Sequence, residues 1–418
     1  MSREIVLEAL VVARHEQPPM DATVLRALAA AGLGSGSYAA AEIQQAEMVL
    51  APGMRKRLGM YTLTMGAGGE SLRAIVYRYG GAITEGIGEP AFLVLTRGLA
   101  ASDTQTLRES TLAFDLRVTV PQERTLAATE WMVKVEGALL ELVEGVCIDP
   151  AAERCYGREQ MARLTDADPL VHVSFHAEAW NADSRWLHTH GLRKFGCAEI
   201  DMVAVPNTLE AEGEAFLRDV AASLASGAQL AAGGEVDMGE FGLAEAVAAP
   251  VDAEHQAPYG RLRLVDSALP GERQGISPVR MLKRMALADA ERQVREGQIT
   301  AALETLERVL AAEPDDCAAL ALKAAQFLST GHVTEALNLG ELMELRVPGD
   351  YRGPLTVGRA LAALGRYREA LAALNRAISL DPEAAEAFAG RADVHERLGQ
   401  ALPAREDRAH AVYLGYRG

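Results

Sequence analysis

The sequence predicts an α+β N-terminal region followed by an all-α solenoid, and three observations lead there. Residues 1–226 mix short alternating strands with amphipathic helices and lack the regular spacing of βαβ units. Residues 281–418 carry Gly, Ala and Pro at a fixed step of 34 residues. Between them, residues 227–280 concentrate Gly, Pro, Ala and acid in GAQLAAGGEVDMGE, AAPVDAEHQAP and SALPGERQGISP, which reads as a linker holding one strand, Gly260–Val265. A chain of 418 residues is too long for one ordinary core, so several units are expected. Residues 1–226 form one domain or two lobes, 1–110 and 111–226.

Each element has a local reason. Alternation predicts a strand at Ile5–Ala13, and a helical pattern follows at Ala22–Ala31. A hairpin spans Tyr61–Tyr79 and turns at GAGGES. The glycines suit a turn and not a phosphate loop, because LRAIVYRYG after them alternates like a strand and offers no helix N-terminus. Apolar runs place strands at Ala91–Leu95 and Phe114–Val120, the second stopped by Pro121. Trp131, Val135, Leu139 and Leu142 fall on one face of a helix at Ala127–Val143. A strand at Gly145–Ile148, a helix near Arg158–Leu164, strands at Leu170–Trp180, Arg185–His190 and Glu199–Val205, and a helix at Leu209–Leu224 complete the region.

The C-terminal third repeats. Gly297, Gly331, Gly365 and Gly399 keep the 34-residue step, as do Ala302, Ala336, Ala370 and Ala404, and Pro314, Pro348 and Pro382. In YRGPLTVGRALAALGRYREALAALNRAISLDP, Leu361, Leu364, Leu371, Leu374 and Ile378 make a helical stripe, Gly365 supplies the turn and Pro382 the stop. One helical hairpin cannot bury that stripe, so neighbours must stack.

These residues resemble the tetratricopeptide repeat family, in four copies at 283–316, 317–350, 351–384 and 385–418. The resemblance implies close helix packing at Gly358 and Ala370, with Ala290, Ala324 and Ala392 at the Gly358 site. It also implies a groove that takes a protein or peptide partner, lined by Leu287, Glu291, Ala321, Ala325, Leu355, Arg359, Ala389 and Asp393. Near the start of the first helix, where the family usually has an aromatic, the four copies hold Ala286, Leu320, Pro354 and Phe388. The basic set with which some members clamp a free carboxylate is absent. Arg352 and Arg359 make the third copy's first helix basic, suited to an acidic segment or simply solvated.

Charge narrows the partners. The net charge of −17 divides unevenly: residues 281–418 carry 17 basic and 20 acidic side chains, residues 1–280 carry 24 and 38. That sign opposes nucleic acid and anionic membrane as partners. Cys147, Cys155, Cys197 and Cys317 have no paired metal spacing and are too few for a disulfide framework, so reduced thiols and a cytoplasmic location are expected. No signal peptide or membrane span is indicated. Self-association is a further expected possibility.

Four of the nine histidines, His172, His176, His188 and His190, fall within nineteen residues around RWLHTHGLRKFG. Imidazoles at i, i+2 or i, i+4 on a strand share a face and can offer nitrogens to Zn2+, with Glu178 or Asp183 nearby. If the loop joining the two strands is even, the pairs lie on opposite sides. If it is odd, with Trp180 opposite Trp186, His176 faces His190 and Glu178 faces His188. The candidate ligand site is therefore His176, Glu178, His188, Thr189 and His190. The run W-L-H-T-H-G-L-x-K-F-G, with Glu199 after it, is similar to a stretch in bacterial domains of unknown function, over about Phe114–Leu224. No HExxH, nucleophile elbow or Cys–His pair is present, so no catalytic residue is assigned and no cofactor is expected. Two function classes stand: an interaction adaptor working through the repeats, and a metal- or ligand-binding enzyme or sensor using the histidines, with zinc as its cofactor and the repeats as a docking platform.

Overall fold

The computed structural model describes residues 4–14, 23–24, 56–65, 70–79, 81–85, 87–165, 168–237, 239, 243–249, 260–266 and 279–417. Contacts divide the chain into two compact units, one drawn from residues up to Pro278 and one dominated by Val279–Gly418.

The first unit contains two six-stranded sheets. The strands of the first are β1 (Glu4–Ala13), β2 (Lys56–Met65), β3 (Glu70–Arg78), β4 (Leu112–Pro121), β5 (Val146–Asp149) and β6 (Arg154–Tyr156), in the order β2-β3-β4-β1-β5-β6 with every neighbour antiparallel. Period-2 alternation splits β1 between two cores. Ile5, Leu7, Ala9 and Val11 pack with Leu116, Trp131, Val135 and Leu139 of the long helix α3 (Thr125–Val143), while Val12 joins Phe92 and Leu107 on the other face. Phe92 lies in α1 (Glu89–Leu95) and Leu107 in α2 (Ala101–Arg108). A short α4 (Arg158–Met161) and a 3-10 turn at Ala162–Thr165 follow β6.

The second sheet has the order β10-β11-β12-β9-β8-β7. Its strands are β7 (Ser174–Ala179), β8 (Ser184–His190), β9 (Glu199–Pro206), β10 (Glu235–Asp237), β11 (Leu243–Ala248) and β12 (Arg261–Asp266). Helix α5 (Glu210–Ala225) covers one face and buries Phe216, Leu217, Val220, Ala221 and Leu224 at helical spacing. Its Gly213 sits over Leu187 so closely that an added Cβ would lie 2.6 Å from a leucine methyl.

Four expectations change. Ala91–Leu95 is helix, not strand: Pro90 opens a seven-residue helix and only Phe92 is buried. A short apolar run cannot by itself separate the two states. No divide falls at residue 110, because β4 sits between β3 and β1 in the first sheet. The segment 227–280 carries three strands, β10 to β12. Since β12 lies parallel to β9 with Arg261 opposite Glu199, the Gly and Pro-rich stretch completes the second sheet. The expected strand from Leu170 begins only at Ser174. Pro169 opens a 3-10 turn through His172, capped by Asp168 Oδ1 accepting from the Leu170 N–H at 2.9 Å. Apart from Thr23 and Val24, the helix expected at Ala22–Ala31 lies outside the described residues, as does the GAGG of the first hairpin turn.

The second unit is a run of eight helices in four hairpins: α6 (Val279–Arg295) with α7 (Ile299–Ala312), α8 (Cys317–Ser329) with α9 (Val333–Arg346), α10 (Arg352–Ala363) with α11 (Tyr367–Leu380), and α12 (Ala385–Arg397) with α13 (Ala401–Tyr413). Each hairpin turns on its glycine in the left-handed region, at φ of 77°, 82°, 74° and 73°. The alanines of the periodic positions 290, 302, 324, 336, 370, 392 and 404 are all buried. Where Gly358 stands, a Cβ would lie 2.7 Å from Leu374.

Candidate functional site

The site is built on the β7–β8 hairpin. Its turn runs through Asn181 to Asp183, with the N–H groups of Trp180 and Asn181 donating to the Ser184 carbonyl. The parity is the odd one, so His176, His188 and His190 share one face. The register is shifted by two residues from the expected one: His176 faces His188, Glu178 faces Trp186 and Ser174 faces His190. The turn closes tightly because Asn181 Oδ1 accepts from the Asp183 N–H at 2.9 Å.

The three rings form a triangle. Centroid separations are 5.2 Å for His176 and His188, 4.9 Å for His176 and His190, and 4.9 Å for His188 and His190. Each ring has an oxygen within 3.5 Å of one nitrogen. Ser174 Oγ lies 2.9 Å from His176 Nε2, Glu178 Oε1 lies 3.5 Å from His188 Nε2, and Glu153 Oε1 lies 3.1 Å from His190 Nδ1. The Ser174 hydroxyl donates to the Ala152 carbonyl, so His176 Nε2 must carry the proton in its contact with Ser174. Burial holds His176 and His188 well below the ordinary imidazole value, to about 4, and both are neutral at pH 7.

Behind the rings the same face stays polar. Trp186 stacks on His188 at 4.1 Å and donates its indole N–H to Asp201 Oδ2 at 3.0 Å. Asp201 also receives the Arg263 guanidinium at 3.0 and 2.8 Å. Arg261 lies 5.2 Å from the Trp186 ring centre; among the described residues its two terminal nitrogens are buried without a hydrogen-bond partner.

Two of the expected residues stand elsewhere. His172 is off the strand and lines a small cavity with Glu136, Asp149 and Lys194. Thr189 points away from the imidazole face. Its hydroxyl donates to Glu199 Oε2 at 2.9 Å and accepts from the Ile200 N–H at 3.0 Å. Buried Glu199 also takes the Gly191 N–H at 2.9 Å, which ties the end of β8 to β9. Gly191 has φ 115° and would press a Cβ against the His172 carbonyl oxygen, so both its conformation and its space require glycine. Much of the H-T-H-G-L-x-K-F-G run is thus spent on the fold: Thr189, Gly191 and Lys194 tie strands together, and Leu192 and Phe195 are buried. Sequence reading missed Ser174, Glu153, Asp201 and Arg261. Strand alternation around His176 could have found Ser174, but nothing local marks Glu153, whose φ of 50° aims it from the β5–β6 turn.

This cavity has chemistry of its own. Lys194 pairs with Asp149 and donates to the His172 carbonyl at 3.1 Å. Nearby, Cys147 Sγ–H donates to Glu136 Oε2 at 3.3 Å, and burial, aided by the Asp149 charge, pushes the Glu136 carboxyl up to about 7. In the unfolded chain this group titrates near 4.5, so the fold binds the extra proton between those values and loses stability as pH rises through that window. Glu136→Gln, which keeps an oxygen for the thiol, is therefore expected to gain on the wild type by about 3 kcal/mol between about pH 4 and pH 8 in urea unfolding. A pH-independent difference would count against a buried, proton-holding carboxyl.

In the array, the expected groove residues form two rows on α6, α8, α10 and α12. Leu287, Ala321 and Ala389 are half-buried, while Leu355 is buried in the core with Leu361 and Leu374. In the second row, Ala325 and Arg359 are half-buried and Glu291 and Asp393 exposed. Arg408 reaches Asp393 at 2.9 Å, and Arg352 is held by Asp350 at 2.8 Å.

Comparison with known proteins bears on this unit. Residues 358–399 match the TPR repeat family. The run of helices around that match is consistent with a tetratricopeptide solenoid. Among solved structures, TTC0263, a thermophilic TPR protein of Thermus thermophilus, is 27% identical over 32% of this chain and 74% of that one, with a TM-score of 0.30. MamA 41-end from Desulfovibrio magneticus RS-1 is 20% identical over 32% and 75%, at 0.27. A further MamA structure is 19% identical over 30% and 74%, at 0.26. No curated protein matches the chain. Among the described residues no helix is long and apolar enough to cross a membrane.

Proposed function

We propose that the protein is an interaction adaptor or scaffold whose TPR array takes a protein or peptide partner in its groove. The observation that carries this reading is the unbroken run of four hairpins, each closed by a positive-φ glycine and buried alanines, because such stacking builds an extended surface with side chains in rows. Glu291, Ala325, Arg359 and Asp393 supply the accessible row, and their mixed charge suits a partner that is not strongly charged.

The test is affinity capture by the full chain, followed by binding of each recovered protein in purified form. Glu291→Lys with Arg359→Glu is expected to weaken a true groove ligand at least tenfold without changing helical content. A partner whose affinity ignores both substitutions and falls on changes in the α+β unit would overturn the reading. A dimer in light scattering that the same pair of substitutions dissolves would make the ligand a second copy of the chain.

A further inference from the structure

We propose that the α+β unit holds a site for a small organic anion, in a cavity of about 490 Å3 whose wall carries Arg97, Arg154 and Arg218. That volume lies in the range of small-molecule pockets and is far too small for a folded partner. Three separate parts of the chain supply the arginines: Arg97 follows α1, Arg154 opens β6 and Arg218 stands on α5. Their convergence runs against composition, since residues 1–280 carry 38 acidic and 24 basic side chains.

Positive groups outnumber negative ones on this wall. Its two carboxylates, Glu153 and Asp168, are both engaged: Glu153 Oε1 lies 3.1 Å from His190 Nδ1, and Asp168 Oδ1 accepts the Leu170 N–H at 2.9 Å. Arg218 is anchored, with Glu214 Oε1 accepting from its Nε and Nη2 at 3.2 and 2.7 Å and the Phe175 ring centre 4.2 Å from its guanidinium carbon. Arg97 and Arg154 differ. Among the described residues neither guanidinium has a hydrogen-bonded or ion-paired partner, and Arg154 rests 5.6 Å from the centre of the Tyr156 ring. A guanidinium presents a planar fork of N–H donors that matches the paired oxygens of a carboxylate or phosphate, which an ammonium group does not. Among the described residues no lysine lines the cavity.

The rest of the wall selects the body of the ligand. Val94, Leu170, Val173 and Phe175 are apolar, so an oxyanion held at the arginines with a hydrocarbon body against these side chains satisfies both kinds of surface. The net charge of −17 repels a polyanion, whereas an ion small enough to enter the cavity meets the local arginines. Carboxylate and phosphate headgroups share this chemistry, and two probes separate them.

Isothermal titration calorimetry of the full chain with hexanoate, hexyl phosphate and 1-hexanol tests the site. One anion per chain is expected to bind at least about tenfold more tightly than 1-hexanol, and the tighter of the two anions identifies the headgroup. Arg97→Gln and Arg154→Gln should each weaken that binding about tenfold or more, because each removes a charged donor to an oxyanion. Arg97 is exposed, so glutamine there leaves the fold intact and keeps the test decisive even where the Arg154 variant fails to fold. No binding of either anion, 1-hexanol binding as tightly as both, or an affinity unchanged in Arg97→Gln overturns the assignment. None of these residues lies in the TPR array, so the outcome does not depend on the adaptor reading.

Discussion

Lys194→Met is expected to destabilise the α+β unit by about 3–5 kcal/mol, a large share of the stability of an ordinary domain. Lys194 and Asp149 are both nearly buried, with side chains 8% and 11% exposed, and their charges answer one another inside the unit. Methionine matches the length of the lysine stem, so the loss comes from the uncompensated carboxylate and not from a cavity. Asp149 has little room to escape, because its Oδ1 already accepts the N–H groups of Ala151 and Ala152 at 3.0 and 3.1 Å in the β5–β6 turn. The double variant Asp149→Asn, Lys194→Met keeps those turn bonds and removes both charges. It should recover most of the stability, since a buried pair contributes little beyond what neutral packing supplies. Urea unfolding of the three proteins closes the cycle. Equal losses in the single and double variants would show that the pair is not what holds the turn.

Gly340→Val in α9 is expected to cost the TPR array about 3 kcal/mol. A Cβ at this position would lie 2.8 Å from Val357 Cγ2 and 2.9 Å from the Val357 backbone nitrogen, with Thr356 Cβ at 3.2 Å. A methyl group can turn away, but a helix backbone cannot, so α9 and α10 must separate. Gly349 offers a control, since nothing lies within 4 Å of a Cβ there and valine should change stability by less than about 0.5 kcal/mol. Because each hairpin of a repeat array leans only on its neighbours, the damage should be local. Hydrogen exchange should quicken in α9 and α10 first and least in α6 and α7. Uniform loss of protection would contradict the nearest-neighbour picture.

The sequence by itself determined the array. Its eight helices, their turns and their buried alanines follow from contacts between residues close in the chain, so a 34-residue period records the three-dimensional repeat directly. Gly340 escaped because it lies outside that period and serves a single contact between neighbouring hairpins. Strand alternation likewise sufficed for β1, β4, β8 and β9, while the sequence left open the parity of the loop that puts three histidines on one face. Tertiary structure alone decided the rest. The register slid by two residues because an asparagine closed the turn. His172 left the cluster because a proline opened a 3-10 turn before it. The acidic, glycine-rich stretch joined a sheet because β9 had an edge that β12 pairs. Glu153 reaches His190 across 37 residues, and Arg263 reaches Asp201 across 62. Pairings at such distances depend on where whole strands lie, and no local pattern of side chains encodes them.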